Sequence, residues 1–407
     1  MQTNLADWIK DTPRGQEAES ILRSCVHCGF CSATCPTYLL LGDELDGPRG
    51  RIYLMKEMLQ GAAVTAKTQL HLDRCLTCRA CETACPSGVQ YGRLLDIGRE
   101  VMAERVPRPA VARTARALLR AGLTGALFAP LYRFAQSIRA VLPQTLRSKV
   151  GAYTSPGEWP TQRHARRVIL PTGCVQVAMA PAIDRATARV LDRIGIEVIR
   201  NAPGAGCCGA IRQHLGAGDA ALDDARRNID AWWPAVEDGA EAIVSTASGC
   251  GVMIKDYGHL LRSDPDYSAR ATRVSSLTRD VSEVVRDAVP ALASRFRRGE
   301  SSRVAVQSPC TLQHGQRLPG VVESLLGKLG AQLLPVGESH LCCGSAGTYS
   351  VLQPDLAGQL RARKLGNLEA SGPDVILSAN VGCIGHLAGG TATPVRHWIE
   401  WLEERLE

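Results

Sequence analysis

Sixteen cysteines punctuate the 407-residue chain, and half of them fall in two runs of matched spacing. The first is Cys25, Cys28, Cys31 and Cys35 followed by Pro36. The second is Cys75, Cys78, Cys81 and Cys85 followed by Pro86, and each of its cysteines lies fifty residues after its counterpart. C-x2-C-x2-C-x3-C-P is the spacing that ligates iron–sulfur clusters in bacterial ferredoxins. A [4Fe–4S] cube takes one thiolate on each iron, and such centres prefer soft thiolate to oxygen ligands. Two-residue gaps let three cysteines wrap one cube in a single loop, while the fourth cysteine of the motif serves the other cluster. The expectation is therefore Cys25, Cys28, Cys31 and Cys85 around one cluster, and Cys75, Cys78, Cys81 and Cys35 around the second. Structural zinc is the competing reading of four thiolates, but zinc sites rarely use C-x2-C-x2-C runs that end in Cys-Pro.

The other eight cysteines form a second duplication. Cys174 is followed by Gly206-Cys207-Cys208-Gly209 and then Cys250, and Cys310 by Cys342-Cys343-Gly344 and then Cys383, at offsets of 136, 135 and 133 residues. Near-constant offsets mark an internal repeat. Each repeat presents one cysteine after a first strand, an adjacent pair, and one after a later strand. In an open α/β sheet such loops converge at the carboxyl edge. Four thiolates can gather there, as Cys174, Cys207, Cys208 and Cys250 or as Cys310, Cys342, Cys343 and Cys383. Gly206, Gly209, Gly251, Gly344 and Gly382 would let the backbone approach a bulky ligand. Small buried cysteines among glycines are the bland reading, but two sets in register favour a metal, an additional iron–sulfur cluster or a redox-active thiol centre. His386, His314 and His340 lie close to these cysteines in sequence; singly, each is more often a satisfied structural histidine than a ligand.

The elements that must position these cysteines fall into three textures. From 16 to 104 cluster loops alternate with helical periodicity, notably over 51–60 and 94–103, which predicts a helical two-cluster ferredoxin domain. Its core is small, so much of its folding energy should come from bound clusters. From 105 to 166 an Arg- and Pro-rich connector is broken by six prolines, so it cannot form one continuous helix; 112–123 and 131–142 are its amphipathic stretches. From 167 onward short apolar strands at 168–170, 196–199 and 242–247 alternate with helices, and the pattern recurs at 304–306, 321–329 and 375–379. This predicts two α/β repeats, 167–300 and 301–407. The fold class is multidomain, α and α/β.

Net charge is +7, and between Arg105 and Arg167 twelve Lys or Arg face a single acid, Glu158. No recognition motif accompanies this run, so nucleic acid is not the expected partner. A solvated basic connector, an anionic membrane surface and an acidic partner subunit are the readings that remain. The N-terminal residues lack the basic start and apolar stretch of a signal peptide, and no uncharged apolar run approaches the roughly 18–20 residues of a membrane span. The expected location is cytoplasmic, peripheral on the inner face of the cytoplasmic membrane. A four-thiolate cube carries about −2 when oxidised and −3 when reduced, so nearby positive charge favours reduction. Arg23, Arg74, Arg79 and Arg93 are the sequence neighbours able to supply it.

Both layers together resemble the iron–sulfur subunits of bacterial glycolate oxidase (glycolate dehydrogenase) as a family. The resemblance spans essentially the whole chain. It rests on the two ferredoxin motifs, the paired CCG elements, and the strings LGDELDGPRGRIYL (41–54), NIDAWWP (228–234), LCCGSAGTY (341–349) and VRHWIE (395–400). It implies that glycolate is oxidised to glyoxylate on separate flavin-bearing subunits, and that this chain receives the electrons and passes them through two [4Fe–4S] clusters towards membrane quinone. The absence of a G-x-G-x-x-G after a strand agrees with that division of labour. Relatives with CCG domains serve lactate, glycerol-3-phosphate and heterodisulfide chemistry, so another dehydrogenase, a thiol/disulfide reductase and a docking scaffold are the rival readings. One departure is that Cys250 and Cys383 each stand alone where related CCG domains often end in C-x-x-C, which argues against a five-cysteine cluster.

Overall fold

The computed structural model describes residues 1–147, 150–153, 155–200, 202–297 and 302–407. Its N-terminal part is helical because each cluster loop is flanked by a well-started helix. Thr12 caps the helix Pro13–Ser24 by accepting the Gly15 N–H at 3.1 Å, with Pro13 in the first turn where its missing N–H is harmless. The helix Pro48–Leu59 also begins on proline and turns Ile52, Met55 and Leu59 inward. It packs across Tyr91–Arg105, whose Leu94, Leu95 and Val101 are buried. The two helices approach so closely that a Cβ on Gly98 would stand 2.4 Å from the Met55 sulfur. These helices extend the expected stretches by two or three residues at most ends.

The connector's two longer helices, Ala110–Thr124 and Phe128–Ser137, are joined by a three-residue turn, and neither buries a single residue. Arg108 and Arg116 tie the first of them to Asp73.

Beyond the connector lie two four-stranded, fully parallel sheets with strand order 2-1-3-4 in each. The first holds β1 (Arg166–Leu170), β2 (Ile196–Arg200), β3 (Ala242–Ser245) and β4 (Thr278–Asp280). The second holds β5 (Arg303–Gln307), β6 (Gln332–Leu333), β7 (Val375–Ser378) and β8 (Val395–His397). Register pairs Val168 with Ala242 in one sheet and Val304 with Val375 in the other. Strands β4, β6 and β8 have two or three residues each and were not foreseen, being too short and polar to show a period.

One hydrophobic core runs through both repeats, joining Val168, Val244 and Val281 of the first to Val306, Leu377 and Trp398 of the second. Polar bonds stitch the same seam. The Ser248 and Thr311 hydroxyls meet at 2.7 Å, and Gln316 donates to the Ser248 carbonyl. The fully buried His397 bonds the Thr246 carbonyl through Nε2 and accepts the Ile399 N–H at Nδ1. Burial holds that imidazole neutral, with its pKa down at about 3.

Candidate functional site

The loop from Cys25 to Cys31 closes on itself through two left-handed residues, His27 at φ 55° and Gly29 at φ 84°. The loop from Cys75 to Cys81 repeats this with Thr77 at φ 55° and Arg79 at φ 61°. Such residues reverse the chain between ligands, and Arg79 takes on the strain that glycine avoids in the first loop. It is held there by ion pairs to Glu82 at 3.0 Å and to Asp256 at 3.4 Å. The Thr77 N–H turns back towards the Cys75 sulfur at 3.4 Å.

Cys25, Cys28, Cys31 and Cys85 line one cavity together with Cys81 and Tyr91. Burial pushes the Cys31 thiol up to about 11, and the charges of Cys25, Cys28 and Cys85 add to that. The second loop is deeper. Burial raises Cys78 and Cys81 well above the usual thiol range, and both also feel Cys75 and Cys35. Thiols crowded this way without a cation keep their protons, and bound iron would displace them. Among the described residues, the one group with three metal-type ligand atoms all within 4.8 Å of one another is Asp43, Asp46 and His71. Asp46 itself is an ion-pair hub, bonded by Arg74 at 2.8 Å and Arg51 at 3.3 Å.

Each of the later cysteine sets also converges. In the first repeat Cys207 is held low by hydrogen bonds from the Cys174 and Cys208 thiols, and Cys208 in turn contacts Cys250. In the second, Cys310 lies 3.9 Å from Cys342, and Cys343 contacts both Cys342 and Cys383. In both, the glycine after the pair has φ above 90° and sends its N–H to the first cysteine's sulfur, Gly209 to Cys207 at 3.4 Å and Gly344 to Cys342 at 3.5 Å.

The second set does not stand apart from the ferredoxin loops. Cys78 feels Cys310, and Leu76, Cys310, Cys342 and Tyr349 share one apolar cluster with Cys78 packed against it. Tyr349 Oη bonds the Arg74 carbonyl at 3.1 Å.

Two of the three histidines are held by structural hydrogen bonds. His314 uses both ring nitrogens, on Thr83 Oγ1 and on the His340 carbonyl, each at 3.0 Å. His386 bonds the Ala357 carbonyl at 3.3 Å. Of the four arginines singled out by sequence, Arg23 pairs with Glu19, Arg74 with Asp46, Arg79 with Glu82 and Asp256, and Arg93 bonds Gln90.

The buried cations were missed. Arg51 is 1% exposed and bonds Thr37, whose hydroxyl lies 3.3 Å from the Cys35 sulfur. Lys364, 2% exposed, donates to the carbonyls of Glu338 and Ser339 under the second cysteine pair. Tyr91, which bonds the Cys75 sulfur at 3.7 Å, was missed too. A signal existed for both cations, because each occupies an apolar stripe of its helix: Arg51, Met55, Leu59 and Leu360, Lys364, Leu368.

A family model described as a 4Fe-4S dicluster domain matches residues 21–89. A second, described as a cysteine-rich domain, matches 168–255 and 304–388. The chain is 53% identical to the glycolate oxidase iron-sulfur subunit of Escherichia coli (strain K12), over 100% of both chains. It is 30% identical to the probable glycolate oxidase iron-sulfur subunit of Bacillus subtilis (strain 168), over 90% of this chain and 88% of that one. Lactate utilization protein A of an Exiguobacterium species is 28% identical over 58% of this chain and 97% of its own. Full-length identity of this order, together with a dicluster domain followed by two cysteine-rich α/β repeats, shows that the chain belongs to the family of bacterial glycolate oxidase iron–sulfur subunits, components of an oxidoreductase.

Proposed function

We propose that this chain is the electron-transfer subunit of a glycolate dehydrogenase. It takes electrons from flavin-bearing subunits that oxidise glycolate to glyoxylate and passes them towards membrane quinone from the inner face of the cytoplasmic membrane. In this reading Cys25, Cys28, Cys31 and Cys85 hold one [4Fe–4S] cluster, and Cys75, Cys78, Cys81 and Cys35 hold a second. The Cys174 and Cys310 sets are additional metal or cluster sites. When bound, each cluster would accept and release single electrons.

The observation that carries the reading is the continuity of the thiol sets. Tyr91 lines the first cavity and bonds Cys75 of the second set, while Cys78 of that set borders Cys310. The chain's own residues serve such a relay at both ends. Val26, Phe30 and Cys28 are exposed around the first cavity, where a partner subunit can approach. Around the second set, buried Leu76, Cys81 and Cys342 exclude water. Arg51 places a fixed positive charge beside Cys75 and Cys35, which favours an added electron there.

Cys28→Ala should abolish one cluster signal in the EPR spectrum of the reduced, anaerobically purified complex and stop quinone reduction, with flavin reduction by glycolate intact. Cys85→Ala should damage the same cluster, and Cys35→Ala the other one. Wild-type quinone reduction in Cys28→Ala would refute the relay. Iron analysis then separates two clusters, about eight irons per chain, from a larger content that would implicate the repeats.

A further inference from the structure

The helices Ala110–Thr124 and Phe128–Ser137 are amphipathic, yet the apolar side of neither enters a core. Val111 and Leu118 of the first are 82% and 67% exposed, at the i, i+7 spacing of one helical face. Leu127, Leu131 and Phe134, at i, i+4, i+7 around the second, are 72%, 63% and 63% exposed. Arg113, Arg120 and Arg133 stand on the same helices and form no ion pair among the described residues, and no Asp or Glu occurs between Arg105 and Gly157. A solvated connector would not expose a row of Leu and Phe, and an uncharged partner surface would not need unpaired arginines with no acid among them. Arg133 flanks the apolar face of the second helix, while Arg113 and Arg120 lie on the side of the first helix opposite Val111 and Leu118. An apolar face backed by an arginine-rich polar one is the pattern of helices that lie in the interface of an anionic bilayer. Among the described residues no helix is long and apolar enough to cross one.

The inner side of the pair has a definite address. The first helix contacts Ala210–His214, which starts directly after Cys207-Cys208-Gly209, and the second contacts Gln176–Met179, just past Cys174.

We propose that this helix pair lies flat on an anionic phospholipid surface, and that it thereby turns the first repeat's set, Cys174, Cys207, Cys208 and Cys250, to the membrane side of the molecule. The inference rests on the reading above that electrons leave for membrane quinone, and it supplies the surface by which the chain reaches that membrane. The second repeat's set, at the ferredoxin loops, then lies on the supply side.

Co-sedimentation of the anaerobically purified complex with vesicles tests it. Phosphatidylglycerol-containing vesicles should bind the complex at least tenfold more tightly than pure phosphatidylcholine. The triple variant Arg113→Glu/Arg120→Glu/Arg133→Glu and the double variant Leu131→Asp/Phe134→Asp should each lose that tenfold. None of the substituted residues is buried, so folding and glycolate-driven reduction of a soluble dye should stay at wild-type level. On vesicles, hydrogen exchange should slow over 110–142, 174–179 and 207–214. Failure of the wild type to bind anionic vesicles, undiminished binding by both variants, or protection of a different face would overturn the proposal. Loss of the other subunits from the variants with vesicle binding retained would overturn it too, because the face would then be a subunit contact. Vesicle binding as described, in a complex that reduces dye but never quinone, would uphold the docking surface and refute the relay reading alone.

Discussion

The two cysteine-rich repeats have the same strand order, the same thiol cage and the same left-handed glycine, yet they differ in what lies beneath the cage. The carbonyls of Ala221 and Ala357 sit under Gly209 and Gly344, so an offset of 136 residues relates the supporting helices Gly218–Glu237 and Pro354–Glu369. By that offset Asp224 and Asn228 of the first repeat correspond to Leu360 and Lys364 of the second. Asn228 accepts the Gly206 N–H and donates to the Cys207 carbonyl, and Asp224 is fully buried with Arg212 and Arg227 on it. Lys364 instead spans two carbonyls with an ammonium group. The cages also dock differently on the ferredoxin region. The first repeat reaches it through ion pairs, Asp256 with Arg79 and both His259 and Arg262 with Glu17. The second reaches it through Leu76, Tyr349 and the His314–Thr83 bond. Duplication supplied two equal cages; the second repeat meets the ferredoxin region through a dry contact beside Cys78, the first through ion pairs.

The glycine beneath each cage gives the largest expected effect. A Cβ on Gly344 would meet the Ala357 carbonyl at 2.7 Å and the Leu360 Cβ at 3.0 Å, whereas on Gly209 the Ala221 carbonyl is 3.0 Å away and the next contact is the flexible end of Met253. Both positions also carry a φ that L-residues avoid. Gly344→Ala should destabilise the protein by about 3 kcal/mol or more, and Gly209→Ala by about 1–2 kcal/mol. Thermal unfolding of the two variants checks the order. Equal losses would show that the second cage is no more tightly built than the first.

Lys364→Met comes next. The side chain keeps its stem among apolar neighbours but strands the carbonyls of Glu338 and Ser339, which should cost about 1–3 kcal/mol. Burial lowers the Lys364 pKa while the thiols of Cys343, Cys342, Cys310 and Cys383 oppose that fall, so the ammonium belongs electrostatically to the cage as well as to the loop. Asn228→Leu should cost a similar amount, because it too strands two backbone groups. Parallel losses in denaturant titrations would mean that the two helices brace their loops equally and differ in charge alone.

How far the sequence reveals all this depends on the range of the cause. Ligand spacing is local chemistry, so Cys25–Cys35 and Cys75–Cys85 could be read as cluster loops directly. The helix at 321–329 and the strand at 304–306 follow from period and length. What stayed hidden is tertiary. Nothing in the sequence singles out Arg51 or Lys364 as buried except their places on apolar stripes, since charge normally means exposure. Arg79 reads from sequence as a positive neighbour of a cluster; the fold adds that it is a left-handed residue strapping the second loop to Asp256. That Cys78 meets Cys310 rather than Cys174 lies in the docking of the second repeat, which no local pattern records. Strands β4 and β8 exist because a parallel neighbour completes them, not because Thr278-Arg-Asp280 or Val395-Arg-His397 prefers to be extended.

The smallest effect tests the docking contrast. Arg262 is 42% exposed and bonds Glu17 at 2.6 Å, with His259 on the other carboxylate oxygen at 2.9 Å. Exposed pairs contribute less than about 1 kcal/mol, so Arg262→Ala should cost no more than that. The hydrogen bond from His259, against the opposing effect of burial, holds Glu17 below the usual carboxylate range. A lowered folded pKa means that this contribution is complete above about pH 4.5 and is lost as pH falls through the lower folded value. Salt acts on the same contacts, since the Debye length shrinks to about 3 Å near 1 M. At high salt, amide exchange should therefore quicken around 257–262 and 17, while the neighbourhood of Leu76, Thr83 and Tyr349 keeps its protection. The reverse pattern would mean that the first repeat is held by something other than its ion pairs, and that the two docks do not differ in kind.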